Sequence, residues 1–306
     1  MAKIRIGIVG FGKIAQDQHR PAIEADLAFQ LSAVVSPDAK PDLSIPVFAD
    51  VQAMLDTVPL DAVAICTPPG PRHDIARACL EAGLHVLLEK PPAATLGEIA
   101  DLRAIAARSE RSLFATWHSR FNDNVITAAE ITRREGIATL DIQWLEDAEK
   151  WHPGQTWIWE GGGFGVFDPG INALSIATLL CPEPLLVREA ELEMHAHGQQ
   201  PEAVTLRLAT GGVEAGMRAR FDFRHTIGER WTIDITTKAG TRIALSHGGG
   251  CLSINDGPPQ DAPNREYAGI YGRFAELIAR KASDTDTEPL RIVADALLTA
   301  KRIAAR

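Results

Sequence analysis

Three groups of residues have types and spacings that could do chemistry. The first is Glu89-Lys90-Pro91-Pro92, which follows the apolar run His85–Leu88. A lysine at the carboxyl end of a strand can hydrogen-bond a substrate hydroxyl. It can also take that hydroxyl's proton where desolvation or a nearby cation favours the neutral amine. The competing reading is a surface lysine in a proline-rich turn. The second group is Asp168-Pro169-Gly170-Ile171-Asn172. Its carboxylate and amide are four apart at the start of a helix and so project on one side. Asp168 could equally be a helix N-cap. The third is Gly10-Phe11-Gly12-Lys13-Ile14-Ala15, between the strand pattern Ile4–Val9 and a helix from Ile14 to about Ala25. Here the first glycine permits a tight turn, the second lets the backbone approach a pyrophosphate, and Ala15 lets the helix pack closely.

Positioning these groups requires a scaffold, and the first third of the chain supplies one. Short apolar runs alternate with helical patterns: Leu31–Val35, a helix around Val51–Leu55, Ala62–Cys66, a helix Asp74–Ala82 stopped by Gly83, His85–Leu88, Leu96–Arg108 and Ser112–Ala115. This alternation predicts βαβ units on a parallel sheet, a dinucleotide-binding Rossmann domain over residues 1–120. At the end of the second strand an acidic residue would hold the ribose 2′-hydroxyl of NAD, and an arginine would accept the 2′-phosphate of NADP. Ser36 occupies that place, Asp38 stands two residues on, and no arginine is near. NAD is therefore favoured, with NADP possible.

Beyond a helix Val125–Glu135 the pattern changes to longer alternating runs, Thr139–Glu146, Val187–His195, Ala203–Ala209, Val213–Phe223, Trp231–Thr237 and Thr241–Ser246. These predict an α+β domain over residues 121–306 with an open, mostly antiparallel sheet. A helix Asn172–Leu180 interrupts it, and Tyr267–Lys281 and Leu290–Ala304 close the chain as helices. The C-terminal helix is free to pack back on the first domain.

Composition excludes several classes. Of 306 residues 45% are hydrophobic and 23% charged, as in a globular chain able to bury a core. A net charge of −9 argues against nucleic acid and anionic membranes as partners. No apolar run is long enough to span a bilayer, and no signal-peptide pattern opens the chain, so a cytoplasmic location is expected. Cys66, Cys79, Cys181 and Cys251 form no metal-ligand or redox spacing, and His195 and His197 lack a third ligand, so no metal site is expected.

Together Gly10–Ala15, Thr67-Pro68-Pro69, Glu89-Lys90-Pro91, His118-Ser119-Arg120-Phe121 and Asp168–Asn172 resemble, over essentially the whole chain, the glucose–fructose oxidoreductase/inositol dehydrogenase/rhizopine-catabolism (Gfo/Idh/MocA) family. The resemblance implies a catalytic Lys90, a nicotinamide-ribose neighbourhood at Thr67, Pro68, His73 and Glu89, and a homodimer or homotetramer. The family usually carries D-x-x-x-H, and here Asn172 replaces the histidine. An amide cannot act as acid or base near neutral pH. Proton transfer then falls on Lys90, with Asp168 as its expected charge partner and Asn172 orienting the hydroxyl. This variant, with Trp144-x-Glu146 and Trp151-His152-Pro153, is similar to the aldose 1-dehydrogenase branch acting on L-arabinose or D-galactose. Five of six tryptophans fall within Trp117–Trp159, and tryptophan offers an apolar face to sugar C–H groups. His118, Glu146, Trp151, His152 and Trp231 complete the expected sugar-binding set. Oxidation of a cyclitol or of another sugar carbon is the alternative within the fold, and a non-catalytic dinucleotide-binding regulator the alternative outside it.

Overall fold

A computed structural model describes residues 2–37 and 43–304. Two units divide the chain, Met1–Trp117 with Glu266–Asp286, and His118–Arg265 with Thr287–Arg306. Among the described residues the first unit holds a six-stranded parallel sheet. Its strands are β1 (Ile4–Val9), β2 (Phe29–Val35), β3 (Val47–Phe48), β4 (Ala62–Ile65), β5 (His85–Leu88) and β6 (Leu113–Ala115). They lie in the order β3-β2-β1-β4-β5-β6, the doubly wound arrangement that places ligands at the carboxyl strand ends. Strands covered on both faces read as continuous apolar runs, and all of Ala62–Ile65 is buried. The connections are α1 (Arg20–Ala25), α2 (Val51–Thr57), α3 (Pro69–Glu81) and α4 (Leu96–Arg108). Residues Ala15–His19, before α1, wind as a π-helix, a form that recurs at functional sites.

The second unit holds α5 (Asp123–Glu135), α6 (Ala148–Trp151), α7 (Phe167–Leu180) and a mixed, mostly antiparallel sheet. Its strands are β7 (Ile137–Leu145), β8 (Leu186–Met194), β9 (Pro201–Ala209), β10 (Met217–Asp222), β11 (Arg230–Thr237), β12 (Arg242–Ser246), β13 (Cys251–Ile254), β14 (Gln260–Asp261) and β15 (Lys301–Ala304). The order is β14-β13-β12-β11-β7-β10-β9-β8-β15. Helix α8 (Glu266–Arg280) returns to the first unit, where Tyr271 and Phe274 pack on Phe29 at ring separations of 5.4 and 6.1 Å. Helix α9 (Glu288–Thr299) belongs to the second unit.

Several elements differ from the sequence reading. Helix α3 begins at Pro69 rather than Asp74, with Pro68 as N-cap. Helix α7 begins at Phe167 rather than Asn172, with Val166 as N-cap, so Asp168 lies inside the first turn and is not the cap. Pro169 is tolerated there because first-turn N–H groups have no helical partner. Gly170 is required by packing, since a Cβ would stand 2.9 Å from the Phe221 ring on β10. The last helix stops at Thr299, and Lys301–Ala304 pairs in parallel with Glu191–Met194 at the sheet edge. There tertiary pairing overrides the good helix propensity of Ala, Lys and Arg. His195 and His197 lie beyond the end of β8 rather than on it, and His195 stacks on Trp159 with centroids 4.1 Å apart.

Candidate active site

In the first unit the carboxyl ends of β1, β4 and β5 converge. Gly10 has φ +88°, and a Cβ there would meet the Thr67 backbone nitrogen at 2.9 Å. Only glycine lets the β1 turn lie this close to the end of β4. At Gly12 a Cβ would meet nothing within 4 Å, which leaves this backbone open to a pyrophosphate. Thr67 Oγ1 is buried with no hydrogen-bond partner among the described residues, so a donor awaits an acceptor beside the glycine turn. Glycine cradle, open backbone and orphan hydroxyl all fit a nicotinamide dinucleotide. Lys13 is exposed and pairs with Asp17, while Ile14 is partly exposed at the head of the helix. Ser36 is buried and its N–H donates to Phe48 O at 2.9 Å. Asp38 lies outside the described residues.

Gly10→Ala tests this cradle. Positive φ and the contact with Thr67 together cost about 1–3 kcal/mol, and roughly 1.4 kcal/mol is tenfold in an equilibrium constant. The expected result is an NAD dissociation constant raised at least about tenfold, read by quenching of tryptophan fluorescence. An unchanged constant would show that the close approach is not part of the cofactor seat.

The turn after β5 is held from both sides. Glu89, 3% exposed, accepts on Oε1 from Tyr267 Oη at 2.8 Å and from His19 Nε2 at 3.0 Å. Its Oε2 accepts from the Lys90 N–H at 2.8 Å. His19 Nδ1 lies 2.8 Å from Tyr271 Oη. Burial pulls His19 down, but Cys66, Tyr271 and Glu89 outweigh it and hold the imidazole well above its usual value. Burial pushes Tyr271 up to about 12 and Tyr267 well above its ordinary value, so both phenols keep their protons. On the other side the buried Arg72 guanidinium donates to the carbonyls of Glu89, Pro91 and Thr67. The Lys90–Pro91 peptide is cis. His73, expected beside the nicotinamide ribose, bonds through its two ring nitrogens to Asp101 on α4 at 2.9 Å and to Asp74 at 3.0 Å. Burial opposes its protonation, yet the two carboxylates raise it above the usual histidine value.

In the second unit Trp144, Glu146, Trp151 and Trp231 meet at one end of the sheet, and His152 lies beside Asp168. Trp144 and Trp231 are cross-strand partners on β7 and β11 and stack at 5.8 Å. Trp151 tilts onto Trp231 at 5.4 Å. Glu146, buried just beyond β7, accepts from Trp231 Nε1 at 2.8 Å. His152 Nε2 lies 3.5 Å from Asp168 Oδ2, and its ring meets the edges of Phe223 and Trp157. Asn172 is half-buried one turn after Asp168 on α7. His118 opens the short helix His118–Phe121 and lies within 3.4 Å of Ser119 Oγ. Two tryptophans have other work: Trp117 is buried in the first unit and donates to Asp286 O, and Trp159 stacks on His195. The sequence reading missed Arg72, His19, Tyr267 and Tyr271. Ala15 and Ile23, at helical spacing on either side of His19, and the place of both tyrosines on one amphipathic helix were the available signal, but their partners are distant in the chain.

Trp231→Phe keeps the aromatic stack and removes one donor from the buried Glu146 carboxylate. A hydrogen bond to a charged group contributes about 1.5–3 kcal/mol. The expected outcome is a sugar KM raised roughly tenfold or more with cofactor affinity intact. A KM equal to that of the parent protein would remove Glu146 from the binding set.

Residues 4–116 match an oxidoreductase family described by its NAD-binding Rossmann fold, GFO_IDH_MocA. A galactose 1-dehydrogenase of Pseudomonas fluorescens is 42% identical over 99% of this chain and 98% of its own length. The crystal structure of a D-galactose-1-dehydrogenase from Rhizobium etli superposes with a TM-score of 0.91 at 42% identity, covering 100% of this chain and 98% of that one. A 3-ketoreductase from Actinomadura kijaniata, in complex with NADP and TDP-benzene, shares the fold at a TM-score of 0.84 and 17% identity, over 100% of each chain.

Proposed function

This chain belongs to the Gfo/Idh/MocA family of NAD-binding Rossmann-fold oxidoreductases, and on that premise we propose that it oxidises an aldopyranose at C1 to the lactone, with D-galactose and L-arabinose as substrates. The observation that carries the reading is the match, at 42% identity over 99% of the chain, to a galactose 1-dehydrogenase. The polar and aromatic side chains of the second unit support it. The bound nicotinamide dinucleotide supplies the hydride acceptor.

From the first unit Lys90 contributes an amine on a turn fixed through its own N–H and both neighbouring carbonyls. It takes the C1 hydroxyl proton as the hydride leaves. From the second unit Asp168, beside His152, accepts hydrogen bonds from sugar hydroxyls, and the Asn172 amide orients the reacting one without exchanging a proton. Glu146, fixed by Trp231, accepts from a further hydroxyl, and the Trp144–Trp231–Trp151 stack offers an apolar face to the ring C–H groups.

The test is a panel of free aldoses and cyclitols with NAD and NADP, followed at the reduced-nicotinamide absorbance, with the product identified. A lactone from D-galactose supports the reading. A ketose, or turnover with inositols alone, overturns it while leaving the oxidoreductase class intact.

A further inference from the structure

One buried guanidinium holds two loops at once. Arg72 sits in the first turn of α3, 2% exposed, and reaches back to Thr67 O in the loop after β4 and across to Glu89 O and Pro91 O in the turn after β5. The carbonyls it binds are those of the residues on either side of Lys90, and of the threonine whose backbone nitrogen and methyl group lie against the Gly10 turn. A planar fork with several fixed donors suits such a bridge, and an ammonium on a flexible stem does not. We propose that Arg72 is a positioning residue for the reaction, setting the Lys90 turn against the Thr67 loop. The inference rests on the reading of Lys90 as proton acceptor.

One consequence separates this role from general support of the fold. A shift of about an ångström in a reacting group can cost roughly 100-fold in rate, while binding made elsewhere is untouched. Loss of the fork should therefore lower kcat far more than it changes sugar KM or cofactor Kd.

The experiment compares Arg72→Lys, Arg72→Met and Lys90→Met in the full chain, with D-galactose and NAD. Arg72→Lys keeps the charge and loses the fork. It should lower kcat roughly 10- to 100-fold and leave KM and Kd within about threefold. Arg72→Met should lower kcat at least as far. An Arg72→Lys variant with unchanged kcat, or a folded variant whose KM or Kd rises in proportion to its loss of kcat, overturns the proposal. Should Arg72→Met fail to fold, as judged by circular dichroism, the lysine variant decides alone by the split between kcat and KM. Retained turnover in Lys90→Met would instead sink the reading of Lys90, a failure distinct from that of Arg72.

Discussion

Lys90→Met is expected to lower kcat roughly 10²- to 10⁴-fold, the usual loss of a positioned general base. Methionine matches the length and apolar stem of lysine and removes only the amine. The anchoring of the turn survives, because the Lys90 contact to Glu89 Oε2 is made by the backbone N–H, and Arg72 binds the carbonyls of the neighbouring residues. The cofactor dissociation constant should change little. Stopped-flow measurement of the hydride-transfer step, alongside an NAD titration, checks both halves. A variant with near-parental turnover would assign the proton to another group. A variant that lost cofactor affinity in proportion to its rate would mean that the lysine serves binding more than chemistry.

Local rules place Lys90 in a turn at the carboxyl end of an apolar strand, and the resemblance carried by Glu89-Lys90-Pro91 marks it as a candidate for the chemistry. Gly10 and Gly12 are legible for the same reason, since backbone freedom and close approach are written in the residue type itself. The doubly wound order followed from the alternation of short apolar runs with helical patterns. What stayed hidden depends on contacts between residues far apart in the chain. His19 meets Glu89 and Tyr271, and Tyr267 comes from a helix near the C-terminus, so no window of sequence contains that network. Arg72 precedes the helix expected from Asp74, and only the fold, with the helix starting at Pro69, turns it inward onto three carbonyls. The bond from its neighbour His73 to Asp101 on the next helix is equally non-local. The early start of α7 was hidden by Pro169 and Gly170, which usually mark a loop. Pro169 fits a first turn, and Gly170 is explained by the Phe221 ring lying on it. Similarly, Lys301–Ala304 has the composition of a helix end, and pairing with β8 makes it a strand.

The specificity expected of this chain follows from the difference between an empty space and an unpaired polar group. In its pyranose form L-arabinose has the ring and hydroxyl configuration of D-galactose and lacks only the exocyclic CH₂OH. A pocket that holds the shared hydroxyls through Asp168, Asn172, Glu146 and His152 keeps every polar contact with either sugar. Rejecting the smaller one by unfilled space is worth only about 1–3 kcal/mol, or roughly 10- to 200-fold. D-Glucose differs from D-galactose by inversion of the C4 hydroxyl. If that hydroxyl meets a buried acceptor such as Glu146, 3% exposed and already fixed by Trp231, inversion leaves a desolvated carboxylate short of a donor. An unmade hydrogen bond to a charged group costs more than a missing methylene, and sites built on such bonds discriminate by roughly 10³ or more. The expected result is kcat/KM for D-galactose and L-arabinose within about 200-fold of each other, with D-glucose roughly 10³-fold below the better of them. Initial rates on the three sugars at saturating NAD measure it. If D-glucose matched D-galactose, the C4 hydroxyl would have to face solvent or an adaptable partner, and recognition through buried carboxylates would be wrong. A loss of L-arabinose turnover far beyond 200-fold would instead place a strong contact on the exocyclic CH₂OH, where the proposed pocket has none.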